Sequence, residues 1–313
     1  MTLLAYFSRK RLPRCRVCPP LLLLMVITLV MASCSGLEQR PGYIVDQRRV
    51  SPSHSSRIHH LVIHYTDGNE FRSLRTLTGP RVSAHYVLPL PARRSRGQPL
   101  VYQLVDESRR AWHAGVSAWK NRSNINDTSI GIEIVNEGPD RPFGEIERIL
   151  DAQPSDLNII HWAPYPDAQM DTLIRLARDI VAHHDIDPTN VVGHADIAPS
   201  RKIDPGPLFP WYRLHQAGIG AWPEAKTVTN YLTRFSRQPP SLIELQTALA
   251  EYGYPIELTG QLDTQTRHVL RAFQMHFRPN DYRGLPDAET AAILWALLER
   301  YRAEAPSSNR PPL

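Results

Sequence analysis

The chain predicts an α/β fold: a mixed β-sheet flanked by helices, followed by a small three-helix domain. Three features predict it. Short strand candidates rich in β-branched and aromatic residues alternate with amphipathic segments up to about Trp222. A proline-marked stretch, SRQPP at 236–240, then interrupts the pattern. Beyond it come three amphipathic helical segments, each opened by a turn. The 313 residues are enough for two domains. With 42% hydrophobic and 21% charged residues the composition is globular. Three cysteines rule out a disulfide scaffold and a four-cysteine zinc module.

The first segment explains the net charge of +5. Arg9, Lys10, Arg11, Arg14 and Arg16 precede an apolar run, Leu21 to Ser33, and residues 1–33 hold no acid. That run is shorter than the ~20 residues a spanning helix needs. A basic start, a short apolar stretch and small residues at its end read as a secretory signal. The MASC sequence, Met31 to Cys34, resembles the lipobox of bacterial lipoproteins. The resemblance implies cleavage before Cys34, acylation of that cysteine and a membrane anchor firmer than one chain provides. Ser35 stands where the inner-membrane retention signal would carry Asp, so the expected address is the outer membrane, facing the periplasm. An ordinary signal peptide or an uncleaved anchor helix are the competing readings. Cys15 and Cys18 form a CxxC inside the segment to be removed and are given no role. Removal of residues 1–33 leaves 31 basic against 31 acidic residues. A basic nucleic-acid surface is therefore excluded, and no nucleic-acid partner is expected. One cysteine remains, so no intramolecular disulfide is expected.

Residues 34–56 are polar and lack periodicity, and read as a tether. RIHHLVIHY (57–65), VSAHYVLPL (82–90) and PLVYQLV (99–105) read as strands, the last two joined by an Arg/Pro/Gly-rich loop. In SIGIEIVN (129–136), Ile130, Ile132 and Ile134 share one face, and Gly131, Glu133 and Val135 the other. Residues 167–186 read as a helix, with Leu173, Leu176, Ala177, Ile180 and Val181 at helical spacing. NVVGHADIAP (190–199) reads as a short strand running into a loop. The α/β domain is set at 57–222, a linker at 223–240 and the three-helix domain at 241–302. Asp263 and Asp287 lie three residues before Thr266 and Thr290 at its helix entries. The tail, 303–313, is expected to be disordered.

The chain has 13 histidines, and geometry prunes them. A catalytic zinc site needs three protein ligands and one open position. His60 and His64 share a strand face but stand ~13 Å apart at ~3.3 Å per residue, so they cannot hold one metal together. His64, at the strand end beside Thr66-Asp67-Gly68, is the better ligand. His183 and His184 close a helix, where a cation complements the helix dipole. His54, His161, His215, His268 and His276 have no constellation. His194 closes a strand, with Asp204 ten residues on in a proline-rich loop. A strand-end His and a loop carboxylate can converge on a metal held by a second strand-end His. The competing reading is a surface loop in which Lys202 and Asp204 are merely solvated.

Five segments carry a family resemblance: HYT at 64–66, VSAHYVL at 82–88, RAWHAGVSAW at 110–119, NDTSIGIEIVN at 126–136 and GHADIAPSRKIDPG at 193–206. In this order, across most of 57–222, they resemble the zinc-dependent N-acetylmuramoyl-L-alanine amidases. The C-terminal unit resembles the three-helix peptidoglycan-binding module, through LQTAL, GxLDxxT and RAFQ. The resemblance implies Zn2+ held by His64, His194 and Asp204, with Glu133 as catalytic acid/base and Lys202 as the active-site lysine. It implies hydrolysis of the amide between N-acetylmuramic acid, intact or in its 1,6-anhydro form, and L-alanine. Peptidoglycan and muropeptides are then the partners, and a monomer is expected. Trp112, His113 and His85 are assigned to the substrate cleft; a core Trp and a fold-supporting His85 are the alternatives. Lys202, two residues before Asp204 in an extended loop, would point the same way and face a developing oxyanion. The alternative function is a non-catalytic peptidoglycan-binding lipoprotein of the same fold. Such proteins lack a zinc ligand, whereas this chain has all three candidates. A metalloprotease is disfavoured, since no HExxH occurs.

Overall fold

The computed structural model describes residues 36–302. The leader with Cys15 and Cys18, the acylation candidate Cys34 and the tail at 303–313 lie outside the described residues.

Residues 36–55 contain a hairpin. Strands β1 (Leu37–Arg40) and β2 (Tyr43–Asp46) pair antiparallel, with Arg40 opposite Tyr43. This corrects the expectation of a structureless tether at 34–56. Pro41 and Gly42 form the connecting turn, and Gly42, at φ +86°, supplies the positive φ that such a turn requires.

The second unit, from Ser56, opens with β3 (His60–Tyr65), α1 (Glu70–Leu77) and β4 (Tyr86–Leu88). Next come a small hairpin, β5 (Arg94–Ser95) and β6 (Gln98–Pro99), then β7 (Tyr102–Gln103). A second hairpin, β8 (Ala118–Trp119) and β9 (Arg122–Ser123), precedes β10 (Ser129–Ile134). Helices α2 (Phe143–Asp151) and α3 (Asp167–His184) follow, then β11 (Val191–Gly193), α4 (His194–Ile197) and α5 (Trp211–Gln216). The central sheet has the order β11-β3-β10-β4-β7. Its first four strands run parallel and β7 runs antiparallel to β4, so the sheet is mixed as expected.

The sheet's two faces do different work. Ile130, Ile132 and Ile134 of β10, with Leu61 and Ile63 of β3, pack on Met170, Leu173, Ala177 and Ile180 of α3. Each such buried side chain contributes roughly 1.5–3 kcal/mol. The opposite face presents His60, Val62 and His64 of β3 beside Gly131 and Glu133 of β10. The parallel register sets Glu133 opposite His64. A parallel sheet leads its strands to their C-terminal ends on one edge, and there the functional residues collect.

Two helices escape sequence periodicity. α1 and α2 bury only two residues each, Ser73 and Leu77 in one, Ile146 and Leu150 in the other. Two points cannot define a 3.6-residue period. Nor is 82–90 a full strand. Only Tyr86–Leu88 pair within the sheet, while the Ser83 N–H turns instead to the Trp112 carbonyl at 3.1 Å.

The expected linker at 223–240 is corrected more strongly. It contains helix α6 (Ala225–Phe235), followed by α7 (Leu242–Tyr252), α8 (Thr264–Phe277) and α9 (Ala288–Arg302). Val228, Tyr231, Leu232 and Phe235 recur at i, i+3, i+4 and i+7, an apolar stripe that only burial satisfies. The Phe235 ring packs edge-on to Trp295 of α9 at 5.2 Å, and Tyr231 Oη donates to Glu299 at 2.8 Å.

The three-helix unit is an internal repeat built on two buried glutamines. Gln246 Oε1 accepts from the Gly260 N–H, and Gln274 Oε1 from the Gly284 N–H, both at 2.8 Å. Their amide groups donate to Thr266 Oγ1 (2.8 Å) and Thr290 Oγ1 (3.0 Å). Asp263 and Asp287 cap α8 and α9 by accepting from those threonines' N–H groups, at 2.8 Å each. The amidic side chains thereby satisfy backbone groups of the loops that lead into the helices, where burial without a partner would be costly.

One hydrophobic core runs through both sequence domains. Val62, Trp119, Ala195 and Ile197 share it with Leu245, Tyr252, Tyr254 and Phe273. Phe235→Ala is therefore expected to cost about 3–5 kcal/mol, the usual price of a phenyl-sized core deletion. Denaturant unfolding measures it; a change no larger than a surface substitution makes would remove α6 from the cooperative fold.

Candidate active site

His64 is the penultimate residue of β3, and His194 begins α4 directly after β11. Because β11 lies beside β3, with Gly193 opposite Ile63, the two imidazoles arrive at the same sheet edge. Gly193 is required there: a Cβ would stand 2.7 Å from Pro205 Cδ. Asp204 comes back on the following loop, whose carbonyl accepts from the Ala195 N–H at 2.8 Å. The ligand-type atoms then converge. His64 Nδ1 lies 2.9 Å from His194 Nδ1, and each is 3.1 Å from Asp204 Oδ2. All three side chains are buried.

The surrounding hydrogen bonds fix where the protons sit. Ser129 Oγ gives its proton to the Ile125 carbonyl at 2.7 Å, so towards His113 it can only accept. His113 Nε2 therefore carries the proton in their 3.1 Å contact. His113 Nδ1 is then a bare acceptor, and His64 Nε2 donates to it at 2.9 Å. That leaves His64 Nδ1 unprotonated. On the other side, His194 Nε2 donates to the Ala114 carbonyl at 3.1 Å, so in the neutral ring the lone pair lies at Nδ1. The Arg201 guanidinium stands 3.5 Å from the same Nε2. With both rings neutral, two imidazole lone pairs and a carboxylate oxygen face one another, and the residues fit a metal ion with two His and one carboxylate ligand.

Burial and the neighbouring His194 push His64 down to about 4, so it stays neutral and able to ligate near neutral pH. Burial opposes ionisation of Asp204, but His194 and His64 outweigh it and hold the carboxyl below its ordinary range. Burial, aided by Asp204, pushes Glu133 well above the usual carboxylate range, while the Lys202 ammonium opposes that rise. Glu133 lines the same cleft, of about 560 Å³, as the three ligand residues and Lys202. Its Oε2 is shut off from water and has no hydrogen-bond partner among the described residues.

The other sequence candidates separate. Trp112 is 55% exposed and walls the cleft, with the Arg110 guanidinium 4.0 Å over its ring. His113 is buried behind His64, whose ring it orients, and it also lines the cleft. Gly131 makes room for it: a Cβ there would lie 2.4 Å from His113 Cγ. His85 is a correction. It is fully buried, accepts from the Gly131 N–H at 3.0 Å and donates to the Arg109 carbonyl at 3.2 Å, so it supports the sheet and does not line the cleft. Lys202 sits in a compact turn, its N–H bonded to the Ala198 carbonyl at 3.1 Å, not in an extended loop; the turn still delivers it to the cleft.

His161, His268 and His276 each have a carboxylate partner, Asp140, Glu147 and Asp196, but none joins the His64 group. His184, in the last turn of α3, donates Nε2 to Glu107 at 2.7 Å, and Tyr86 Oη occupies that carboxylate's other oxygen at 2.6 Å. Sequence reasoning missed Ser129, which sets the relay, and Asn126, whose Oδ1 accepts from the N–H groups of His113 (3.0 Å) and Ala114 (2.8 Å). Both lie within the NDTSIGIEIVN segment, where Glu133 drew the attention. Nothing in their local pattern announces a partner in the 110–119 segment.

Comparison with known proteins agrees with this geometry. The family profile described as N-acetylmuramoyl-L-alanine amidase matches residues 54–207, and that of a peptidoglycan binding domain matches residues 238–294. The chain is 46% identical to N-acetylmuramoyl-L-alanine amidase AmiD of Escherichia coli (strain K12) over 282 residues, covering 89% of this chain and 97% of the relative. A structure of AmiD from E. coli in complex with anhydro-N-acetylmuramic acid-L-Ala-D-gamma-Glu-L-Lys superposes with a TM-score of 0.75, covering 85% of this chain and 98% of that one. The crystal structure of AmpDh3 from Pseudomonas aeruginosa, 40% identical, gives 0.71 and covers 84% of this chain and 99% of that one. Fold, convergent ligand atoms and likeness over nearly the whole length agree: the chain belongs to the N-acetylmuramoyl-L-alanine amidase family.

Proposed function

We propose that the chain is a zinc amidase that hydrolyses the amide between N-acetylmuramic acid and L-alanine, with Zn2+ held by His64, His194 and Asp204. The observation that carries this is the convergence of those three ligand atoms beside the unpartnered oxygen of Glu133. The AmiD complex supports a 1,6-anhydro-muramyl peptide as one substrate form.

An amide is a poor electrophile and water a poor nucleophile. Bound zinc supplies Lewis acidity, lowering the pKa of water toward about 7 and polarising a carbonyl. Two neutral imidazoles and one carboxylate cancel only one of its two charges, which preserves that acidity. Glu133 accepts the proton of the attacking water and returns it to the departing L-alanine amine. Its raised affinity for protons suits both halves of that task. Lys202 places an ammonium in the cleft where the tetrahedral oxyanion develops. Trp112 offers an apolar wall to the sugar. His113 and Ser129 keep the His64 lone pair pointed at the metal position. Cys34, acylated after removal of residues 1–33, anchors the enzyme to the outer membrane on its periplasmic side, and the C-terminal module holds it to peptidoglycan as a monomer.

Mass spectrometry of peptidoglycan digested by the mature protein is expected to show lactyl-sugar ends stripped of peptide and free peptides beginning with L-alanine. Cuts within the glycan or between peptide residues would overturn the reading. Chelation should abolish turnover, and stoichiometric zinc should restore it. Glu133→Gln is expected to lower kcat by about 10²–10⁴-fold with zinc content unchanged; near-normal turnover would remove Glu133 from proton transfer. Lys202→Met withdraws a positive charge that opposes the rise in the Glu133 pKa. Protonated Glu133 cannot act as base, so the acid limb of the kcat/KM profile should move to higher pH. A shift to lower pH would contradict the electrostatics.

A further inference from the structure

The helix that carries His194 cannot support itself. α4 has four residues and closes one end bond, from the Ala198 N–H to the His194 carbonyl at 3.0 Å. A single turn is unfavourable by itself, because it fixes several dihedrals for one hydrogen bond. Its shape must be imposed from outside, and Asp196 is where this happens. Asp196 is 1% exposed. Its Oδ2 accepts from the Gly193 N–H at 2.7 Å, closing the turn back over His194. The other two donors come from the C-terminal module. Tyr254, just past α7, donates its hydroxyl to Oδ1 at 2.6 Å, and His276 of α8 donates Nδ1 to Oδ2 at 2.8 Å. His276 is itself fixed, its ring stacked 3.8 Å from Trp211 at 14°. In the same turn, the Ala195 N–H holds the Asp204 carbonyl at 2.8 Å. One short turn thus sets the backbone of two of the three ligand residues.

We infer that the peptidoglycan-binding module is a structural part of the metal site: Tyr254 and His276 act through Asp196 as positioning residues for His194 and Asp204. This rests on the zinc reading above. The two donors satisfy the oxygens of a buried carboxylate that would otherwise destabilise the turn. Removing them frees Asp196 to rotate and α4 to fray, which loosens the ligand geometry from a site remote from the cleft. Metal affinity and kcat depend on the module in this way, while the affinity of the cleft for a small muropeptide does not.

Full-length variants test it. His276→Phe keeps the stack on Trp211 but removes the donor; His276→Asn returns a donor near the former Nδ1. Tyr254→Phe removes only a hydroxyl. Arg271→Leu is the control, since it breaks the 3.1 Å ion pair to Asp151 between module and α/β domain without touching Asp196. Zinc affinity is measured by chelator competition, with kcat and KM on a soluble muropeptide and the melting temperature alongside. Each Phe variant is expected to weaken zinc binding by about tenfold, as loss of a partner outside the ligand set typically does. kcat should fall, KM should stay within about twofold, and His276→Asn should recover most of the loss. Arg271→Leu should lower the melting temperature and leave zinc affinity intact. Wild-type zinc affinity and kcat in both Phe variants would overturn the inference, as would an equal loss of affinity in Arg271→Leu. Failure of the wild-type protein to bind stoichiometric zinc would instead overturn the zinc reading itself.

Discussion

Everything in this molecule answers to one electrostatic constraint. Three electron-rich atoms, His64 Nδ1, His194 Nδ1 and Asp204 Oδ2, are held 2.9–3.1 Å apart in a buried place. With both rings neutral these atoms repel one another, and in an apolar interior that repulsion is stronger than in water. The fold therefore has to hold them together by geometry. The parallel sheet supplies the first part of that geometry by ending β3 and β11 side by side. The relay from Ile125 through Ser129 and His113 supplies the second, by fixing the tautomer of His64. The Ala114 carbonyl does the same for His194. A metal ion bound there would add its free energy to the folded state alone, so ion and preorganised shell would stabilise each other.

The absence of side chains is as important as their presence. Gly131 sits on the metal-facing side of β10, between residues whose neighbours on the other face are isoleucines. A methyl group there would occupy the space of the His113 ring. Gly193 is equally constrained by Pro205. Neither glycine is needed for turn formation; both are places where another group must come close. The alternation of SIGIEI therefore encodes three things at once: an apolar face for α3, a cavity for the His113 imidazole that orients His64, and a carboxylate lining the cleft.

This also explains what could be read from the sequence. The alternation in β10 and the apolar stripe of α3 are local, and local patterns survive without a structure. Strand-end position and the ten-residue spacing to Asp204 single out His194 as a candidate, and the five segments occurring together in a known order give His64, His194, Asp204, Glu133 and Lys202 their expected roles. His85 misled because its segment belongs to the resemblance while its side chain serves the Gly131 and Arg109 backbone. Ser129, Asn126 and Asp196 were invisible for the opposite reason. Their partners lie in other segments, 12 to 16 residues back for Asn126 and for Ser129 with His113 and 80 residues on for Asp196 with His276, and ordinary polar residues carry no local mark of such a pairing. Helix α6 was hidden by its neighbours: the prolines at 239 and 240 drew a boundary that swallowed the apolar stripe before them.

The shared core changes how the C-terminal module should be regarded. A module on a flexible linker raises local substrate concentration and leaves the catalytic unit free to sample orientations. Here α6 occupies most of the intended linker, and Trp119, Tyr252 and Tyr254 belong to one continuous cluster. The Lys120 N–H adds a backbone bond to the Gly253 carbonyl at 2.7 Å. Module and cleft therefore keep a fixed mutual orientation, which a module on a flexible linker would not have.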